Sequence, residues 1–275
     1  MTDRPWSNQQ LRRLGESLRD GVRTPANTPT YDQVALWYLD RTIEIQERIR
    51  ALDWSSLLDP STVRVSSRVK TITTLVDKLR RNPKVALQTI RDIAGVRLEA
   101  DMSLTKQTAV CETLSGVFSE DCAVVITDMR TDDHFGYRAM HLELRHPGQG
   151  WRAEIQVRTD LQGKWANLYE VAGDVLGRGI RYSATSPDQP EHAIVQTLQR
   201  LSTESVASVE AEDDQATSQE VRVEDIRRGL IPGNLGAEER KLESLRATAE
   251  PVRLALSDQL ESLTAELQRI RNSKG

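Results

Sequence analysis

A strict alternation of apolar and polar side chains over residues 151–158 constrains the fold of this chain more than any other feature. Successive side chains of a β-strand point to opposite faces, so the stretch predicts a strand with one buried and one polar face. The apolar face holds Trp151, Ala153, Ile155 and Val157, and the polar face holds Arg152, Glu154, Gln156 and Arg158. A carboxylate among guanidinium and amide groups suits a site for a metal ion and phosphate oxygens. A strand with an ordinary solvated charged face shows the same alternation, so this stretch alone leaves both interpretations open.

The composition indicates a polar globular protein with a sizeable core, since 38% of the 275 residues are hydrophobic and 28% are charged. A formal net charge of −4 argues against a protein coated with positive charge for nucleic acid, although it leaves local basic patches open. Cys111 and Cys122 lack metal-ligand spacing and are expected to be buried and reduced. The first residues form no apolar signal region and no run reaches membrane-spanning length, so we expect a cytoplasmic protein without membrane contact.

Two helices are predicted within residues 1–59. Ser7 and Gln10 have the spacing of a capping box, leucines follow at helical spacing, and Gly21 ends the pattern. Residues 31–52 carry apolar side chains along one stripe of a second, longer helix. Neither helix shows a catalytic grouping, so packing or oligomer contacts are expected from both.

A basic helix is predicted between residues 67 and 81. Its apolar residues share one face, while Lys70, Thr74 and Lys78 follow at i, i+4 and i+8 on another, and Arg68 lies at the helix entrance. Residues 61–98 contain nine Lys or Arg against two Asp. Cations stacked from a helix N-terminus suit a polyphosphate, whereas a solvated basic helix is the simpler alternative.

The order of the remaining elements predicts an α+β domain over residues 60–182. Strands are expected at 92–98, 122–127, 137–145 and 151–159, and helices at 104–117 and 161–180. This order indicates a mixed or antiparallel sheet flanked by helices, with helical N- and C-terminal additions.

The C-terminal part of the chain differs in composition. Residues 204–225 contain eight acids against Arg222, so 183–236 are expected to form an acidic linker with room for some helix. Residues 237–275 carry leucines spaced four and three, typical of amphipathic, coiled-coil-like helices that pack on the domain or pair with a partner. Pro251 is expected to break or begin a helix there.

The motifs combine into one candidate site. Two strand carboxylates, Asp92 and Glu154, together with the cationic helix predict Mg²⁺ and a nucleoside polyphosphate, because Mg²⁺ keeps few protein ligands and bridges phosphates. Tyr137, which follows Gly136, is suited to stacking on a base. Such a site transfers a phosphoryl group or merely binds nucleotides.

Four separated motifs resemble, in order and spacing, those of the synthetase domain of the RelA/SpoT alarmone synthetases. Residues 68–78 resemble the family's ATP-binding R-x-K-x-x-x-[ST]-x-x-x-K element, and residues 92–97 resemble its metal-binding aspartate motif. Residues 136–141, Gly-Tyr-Arg-Ala-Met-His, resemble its G-Y-R-S-L-H acceptor loop. Residues 154–159 match its E-I-Q-[IV]-R-T strand, and Trp165-Ala166 match the W-A pair that follows.

The resemblance implies a nucleotidyltransferase-like fold and a pyrophosphokinase that transfers the β,γ-diphosphate of ATP to a ribose 3′-hydroxyl. By this analogy Asp92 and Glu154 hold Mg²⁺, and Glu154 also takes the hydroxyl proton. Five residues are assigned to ATP and five to the acceptor. The ATP group is Arg68, Lys70, Thr74, Lys78 and Arg97, and the acceptor group is Tyr137, Arg138, His141, Gln156 and Arg158.

The acceptor itself is less constrained. Where the family's loop suits the 5′-phosphates of GTP or GDP, this chain has Asp132 and Asp133, which would repel a free polyphosphate. The chain also has no His-Asp pair of the kind that marks the family's hydrolase domain. Both features favour the 3′-CCA end of tRNA as the acceptor of a translation-inhibiting toxin, with GTP or GDP as the alternative. The second alternative is an inactive nucleotide-binding module. Two protein partners are also considered: an antitoxin, and a second copy of the chain that would bind through the terminal helices.

Overall fold

A computed structural model describes residues 4–131, 134–181, 186 and 188–273, without the side chains of residues 178 and 181. The chain forms two compact units. The first unit comprises Met1–Glu99, Val110–Asp128 and Met140–Val157, and the second comprises Ala100–Ala109, Met129–Ala139 and Arg158–Gly275. Asp132 and Asp133, on which the acceptor expectation rests, lie outside the described residues.

Two N-terminal helices of the first unit confirm the sequence prediction. Helix α1 spans Asn8–Asp20, begins with a capping box at Ser7, and ends at Gly21, whose φ of 67° is in the left-handed region. Helix α2 spans Tyr31–Arg50 and begins with a second capping box, formed by Thr30 and Gln33. In both cases a short local pattern fixed the first residue of the helix.

The first unit is built on a five-stranded sheet with the order β1-β2-β5-β4-β3. The strands are β1 (Arg64–Val69), β2 (Ala94–Ala100), β3 (Ala123–Asp128), β4 (Met140–Arg145) and β5 (Arg152–Thr159). The pairs β1–β2, β3–β4 and β4–β5 are antiparallel. Flanked by helices, this sheet confirms the predicted α+β class.

Strand β5 has the two faces that its alternation predicts. Trp151 lies just before the strand and is buried, and Ala153, Ile155 and Val157 are fully buried.

Helix α3 (Ile72–Arg81) and helix α4 (Leu104–Phe118) follow the strands β1 and β2 in the chain. Both cysteines are free and buried, as expected, and burial raises the pKa of the Cys122 thiol to about 11.

The helix predicted from residue 67 begins too early, so the prediction for residues 67–71 was wrong. These residues do not belong to the basic helix, because Arg64–Val69 form the edge strand β1 and α3 begins only at Ile72, with Thr71 as its N-cap. Arg68 therefore lies on a strand. Strand β2 likewise begins at Ala94, so Asp92 precedes it, and β4 begins at Met140, after Tyr137.

The second unit is mainly helical. Its helices are α5 (Asp160–Leu176), α6 (His192–Arg200), α7 (Ala207–Arg227) and α8 (Leu235–Ser273). A π-helical segment, Leu201–Val206, joins α6 to α7 without a break. Most of the interval expected to be an acidic linker is thus helix, because α7 buries Val209, Ala216 and Val223 against other parts of the unit.

The expectation for Pro251 was also wrong, since α8 runs through it. Apolar side chains on both sides of the proline are buried: Leu242 packs with Val223 of α7, and Leu260 packs in the cluster that contains Leu168 of α5. This packing holds the helix together although proline removes one backbone hydrogen bond. Among the described residues, no helix combines the length and apolarity needed to cross a bilayer.

Candidate functional site

Asp92 is the centre of a charge cluster in the first unit. Its Oδ2 accepts a hydrogen bond from the Lys70 Nζ at 2.7 Å, and its Oδ1 accepts one from the Lys78 Nζ at 2.9 Å. Lys70 follows strand β1 and Lys78 lies on α3, so a strand end and a helix converge on the carboxylate. The structure therefore brings together three of the residues predicted to bind metal or ATP.

Glu154 forms a second cluster, on the polar face of β5. Its Oε1 is 3.2 Å from the His141 Nδ1, and its Oε2 accepts a hydrogen bond from the Gln156 Nε2 at 2.9 Å. The Gln156 Oε1 accepts in turn from the Arg97 Nε at 3.3 Å. Because His141 and Gln156 are directly opposite each other in the β4–β5 register, these predicted residues are held by the sheet itself.

Both carboxylates are ionised at neutral pH. Burial tends to raise the pKa of Asp92, but Lys70 and Lys78 outweigh it and hold this pKa below its ordinary value. Burial also tends to raise the pKa of Glu154, and the hydrogen bond and charge of His141 lower it, with a net shift downward. The negative charge of Asp92 raises the pKa of Glu154, which means that the two carboxylates lie within electrostatic reach of each other.

Two neighbouring ionised carboxylates fit Mg²⁺, which takes oxygen ligands and usually only one or two of them from protein carboxylates. The described residues contain no group of three or more His, Cys, Asp or Glu side chains arranged to hold a metal. A complete protein cage of the kind that Ca²⁺ or Zn²⁺ prefers is therefore not found in this part of the chain, whereas a Mg²⁺ ion shared with phosphate oxygens suits the donors present.

Tyr31 is a residue of this site that sequence reasoning missed. The Tyr31 hydroxyl, at the start of α2, donates a hydrogen bond to the backbone carbonyl of Lys70. The N-terminal helix thus fixes the segment that carries Lys70, and no motif in the sequence signals it. Thr74 has a local role as well: its hydroxyl donates to the backbone carbonyl of Thr71, the N-cap of α3, at 3.0 Å. The Arg68 side chain is exposed on β1.

In the second unit, Gly136 lets the acceptor loop approach its neighbours closely. Its φ is 83°, and an added Cβ would lie 2.9 Å from the Trp165 Cζ2 and 3.0 Å from the Gln199 Cα. Trp165 is itself fixed, since its indole N–H donates to the Leu198 carbonyl at 2.6 Å. The close approach of the glycine and tryptophan motifs is therefore a packing requirement between the loop, α5 and α6.

Tyr137 and Arg158 are brought together in this unit. The Arg158 Nη2 donates to the Tyr137 hydroxyl at 3.0 Å, and the guanidinium carbon lies 5.2 Å from the ring centroid. Arg158 is buried, whereas Tyr137 is only half-buried. The tyrosine ring is thus held by a cation and keeps part of its surface exposed.

Arg138 is buried in an ion pair that the sequence did not suggest. Its Nη1 is 2.5 Å from the Oε2 of Glu210, a residue of α7, and its Nε donates to the Arg130 carbonyl at 3.1 Å. The other oxygen of Glu210 accepts a hydrogen bond from the Thr159 hydroxyl at 2.6 Å. Burial raises the pKa of Glu210 in spite of the opposing effect of Arg138. The Glu210 carboxylate thus contacts both the acceptor-loop motif, at Arg138, and the last residue of the strand motif, Thr159.

A pocket of about 560 Å³ opens beside Tyr137 in the second unit. Its lining comes from loop residues 130, 131 and 136–138 on one side, and from residues between 196 and 207 on the other. The volume is within the range of small-molecule sites. Among the described residues that line it there are arginine, glutamine, threonine and tyrosine side chains but no carboxylate.

The comparisons with known proteins agree with this arrangement. Residues 67–172 match the family model described as the region found in RelA / SpoT proteins. An uncharacterized protein of Mycobacterium tuberculosis is 45% identical over 197 residues, which are 72% of this chain and 70% of that protein. The fold is similar to that of small alarmone synthetase 1 from Bacillus subtilis, with a TM-score of 0.55, 23% identity, and coverage of 70% of this chain and 97% of that one. The same enzyme bound to its product pppGpp gives a TM-score of 0.54 with the same identity and coverage. The motifs, the matched region and the close relative together show that the chain belongs to the RelA/SpoT family.

Proposed function

We propose that this protein is a pyrophosphokinase that transfers the β,γ-diphosphate of ATP to the 3′-hydroxyl of an acceptor nucleotide. The observation that carries the proposal is the cluster of Lys70 and Lys78 on Asp92, with ionised Glu154 within electrostatic reach. Two ammonium groups against one carboxylate leave a local charge of +1, which attracts an anionic phosphate chain. A merely structural salt bridge has no need of the second lysine.

In the proposed reaction, the acceptor 3′-oxygen attacks the β-phosphorus of ATP. The bond between that phosphorus and the bridging α,β-oxygen breaks, and AMP leaves with the electron pair. Lys70, Lys78 and Arg97 bind the phosphates. Thr74, in the first turn of α3, is assigned to the same phosphates, and Arg68 stacks on the adenine. Asp92 and Glu154 would hold Mg²⁺, which would neutralise charge on the transferred group. Most of the rate enhancement comes from alignment and charge stabilisation, as in related phosphoryl transfers.

The direction of the Glu154 pKa bears on its role. A general base works best when its pKa is near the working pH, and the pKa of Glu154 is lowered from a value that is already acidic. We therefore assign Glu154 chiefly to metal binding and to accepting the hydrogen bond of the 3′-hydroxyl, with the proton passing to it only as the new bond forms. His141 and Gln156 hold both of its oxygens in place.

Two acceptors are candidates for the proposed reaction. The tRNA 3′ end is favoured by Asp132 and Asp133, whose charges disfavour a free 5′-polyphosphate, and by the basic character of residues 61–98. A toxin that blocks translation would follow from that acceptor. A guanosine nucleotide is favoured by the likeness to the Bacillus subtilis synthetase bound to pppGpp, and would make this protein an alarmone synthetase.

The experiment incubates the purified protein and Mg²⁺ with γ-labelled ATP and either GDP, GTP or deacylated tRNA. We expect label on one acceptor class, release of AMP, and no transfer when a 3′-deoxy acceptor replaces the normal one. Efficient labelling of GTP or GDP without label in tRNA would exclude the tRNA reading, and the reverse result would exclude the alarmone reading.

The matched variants are Glu154→Gln and Glu112→Gln. The first removes a charge and little volume, so transfer should be lost while ATP binding is largely kept, and the second changes an exposed glutamate on α4 and should behave as wild type. Wild-type turnover by Glu154→Gln would refute the assigned role. Binding of ATP without transfer to any acceptor by the wild-type protein would instead indicate a nucleotide-binding module.

A further inference from the structure

The wall of the Tyr137 pocket that comes from α6 and the π-helical segment has no assigned role. It contributes Gln196, Gln199, Arg200 and Thr203, all of which lie outside residues 67–172, the region that matches the family model. We propose that Arg200 binds a phosphate on the 5′ side of the acceptor nucleoside and so determines which acceptors this protein uses. This inference rests on the proposed function, because it takes Tyr137 as the residue that stacks on the acceptor base.

The charges around the pocket favour Arg200 over the other two arginines that line it. Arg138 is neutralised by Glu210 in a buried ion pair. The guanidinium of Arg130 donates to the Leu104 carbonyl at 3.0 Å, and also to side chains of α4. Arg200 is exposed on the pocket wall, and no described acid lies within ion-pairing distance of it. A guanidinium in this position matches the geometry of a phosphate.

The helix that carries Arg200 is held against α5 by side chains of that helix. The Leu198 carbonyl accepts the Trp165 indole N–H, and the Gln199 amide donates to the Tyr169 hydroxyl at 2.9 Å. Trp165 and Tyr169 stack with their centroids 4.8 Å apart. These contacts fix residues 198 and 199, which directly precede Arg200, so the backbone position of Arg200 is fixed as well.

The π-helical segment begins immediately after Arg200, at Leu201. Its wider turn inserts one residue relative to an α-helix and changes which side chains follow on the same face. Thr203 and Ala207 therefore line the pocket together with Arg200 and Gln196. Short side chains at 203 and 207 leave room for a ligand next to the arginine, and π-helical turns of this kind are frequent at functional sites.

The test is a cycle that combines a protein change with a ligand change. Binding of GDP and of guanosine is measured by calorimetry for wild type, Arg200→Ala and Arg200→Lys, with a non-hydrolysable ATP analogue present. A parallel arm compares the trinucleotide CCA with adenosine, so that the free nucleotide and the RNA backbone are distinguished as sources of the phosphate. Arg240→Ala, an exposed arginine of α8 that does not line the pocket, is the control.

We expect Arg200→Ala to weaken binding of one phosphorylated ligand by roughly 10-fold to 100-fold, the usual loss of a charge-assisted contact. The same change should leave binding of guanosine or adenosine unaltered, and Arg200→Lys should restore part of the loss. The proposal would be overturned if Arg200→Ala weakened GDP and guanosine equally, or CCA and adenosine equally. It would also be overturned if the variant kept the wild-type affinity for both GDP and CCA, or if the wild-type protein bound neither of them. Transfer is assayed separately: phosphate-dependent binding without transfer would refute the proposed function alone, and transfer that is insensitive to Arg200 would refute this inference alone.

Discussion

The buried ion pair between Arg138 and Glu210 yields a strong prediction for the second unit. Both side chains are almost fully buried, with 7% and 3% exposed, so neither charge can be solvated if its partner is removed. Glu210→Leu keeps much of the side-chain volume but leaves the Arg138 guanidinium buried without its counter-charge. Removal of one partner of a buried pair typically costs about 3–5 kcal/mol. The Thr159 hydroxyl loses its acceptor as well, which adds about 1 kcal/mol.

The measurement is urea unfolding at pH 7, followed by far-UV circular dichroism and by tryptophan fluorescence. In thermal unfolding, at about 2–4 °C per kcal/mol for a protein of this size, a total loss of about 4–6 kcal/mol corresponds to a fall in Tm of roughly 8–24 °C. Glu220→Leu, on the same helix, is the matched control. Glu220 forms an exposed pair with Arg246, with 49% and 54% of the side chains exposed, and such pairs contribute only about 0–1 kcal/mol.

The double variant Arg138→Met/Glu210→Leu tests the physical reason for this loss. Because it removes both charges, the desolvation cost of the orphaned guanidinium disappears, and replacement of a buried pair by apolar side chains is often neutral or stabilising by about 1–4 kcal/mol. We therefore expect the double variant to regain most of the stability that Glu210→Leu loses. A single variant that loses under about 1 kcal/mol, or a double variant as unstable as the single one, would refute the reasoning.

Three further predictions concern ATP binding, pH and helix α8. Lys70→Ala and Lys78→Ala should each weaken ATP binding by about 1.5–3 kcal/mol. Lys84 is exposed, so Lys84→Ala is the control and should leave ATP binding unchanged. If neither Lys70→Ala nor Lys78→Ala changes the ATP affinity, the Asp92 cluster has only a structural role. Burial raises the pKa of Asp213 to about 6, so its contribution to stability is present below the usual aspartate pKa and is lost as pH rises through 6. Between pH 4 and pH 8 this effect lowers the free energy of unfolding by up to about 3 kcal/mol, as measured by urea titration. Asp213→Asn should make this decrease smaller, and the same decrease in the variant as in wild type would contradict the prediction. Pro251→Ala should restore a helical hydrogen bond and raise the free energy of unfolding by about 1–3 kcal/mol in thermal unfolding, and an unchanged or lower Tm would contradict this.

The strand and helix predictions succeeded where the signal was local. The alternation over 151–158 and the capping box at Ser7 are each contained in a few residues, and the structure has the expected element in both cases. The same holds for Glu154 and its neighbours on β5, because a strand fixes which side chains share a face. Residue-level roles in catalysis stay predictions, since geometry alone assigns no reaction.

Strand β1 shows why non-local contacts escape such reasoning. Its sequence, Arg-Val-Ser-Ser-Arg-Val, is polar and is separated from α3 by only two residues. Its ladder with β2 makes it a strand, and its free edge is covered by α2, where the Gln46 and Arg50 side chains donate to the Val65 carbonyl at 3.0 and 2.9 Å. These partners lie 15 to 35 residues away in sequence, so a window of ten residues does not contain them.

Helix α7 was expected only as a helical part of an acidic linker, for a related electrostatic reason. Eight acids with one arginine predict repulsion between neighbours, and on that basis the segment suits a solvated linker better than a packed helix. The fold supplies the missing counter-charges and donors from elsewhere: Glu210 meets Arg138 and Thr159, and Asp214 accepts the Thr105 amide at 2.7 Å, in the first turn of α4. Two of the acids thus accept hydrogen bonds from threonines that lie 51 and 109 residues away in sequence.

The apolar positions of α7 did carry a usable signal. Val206, at the end of the π-helical segment, and Val209, Ala216 and Val223 of α7 recur at intervals of three and seven, which is the spacing of a buried helical stripe, and all four are buried. Glu210, Asp213 and Asp214 lie beside that stripe at i, i+3 and i+4, and Glu210 is buried with it, while the two aspartates are partly buried. An acidic segment with an apolar stripe of helical period is therefore better interpreted as a helix that brings carboxylates to a basic partner than as a linker, and the partner here is the arginine of the acceptor motif.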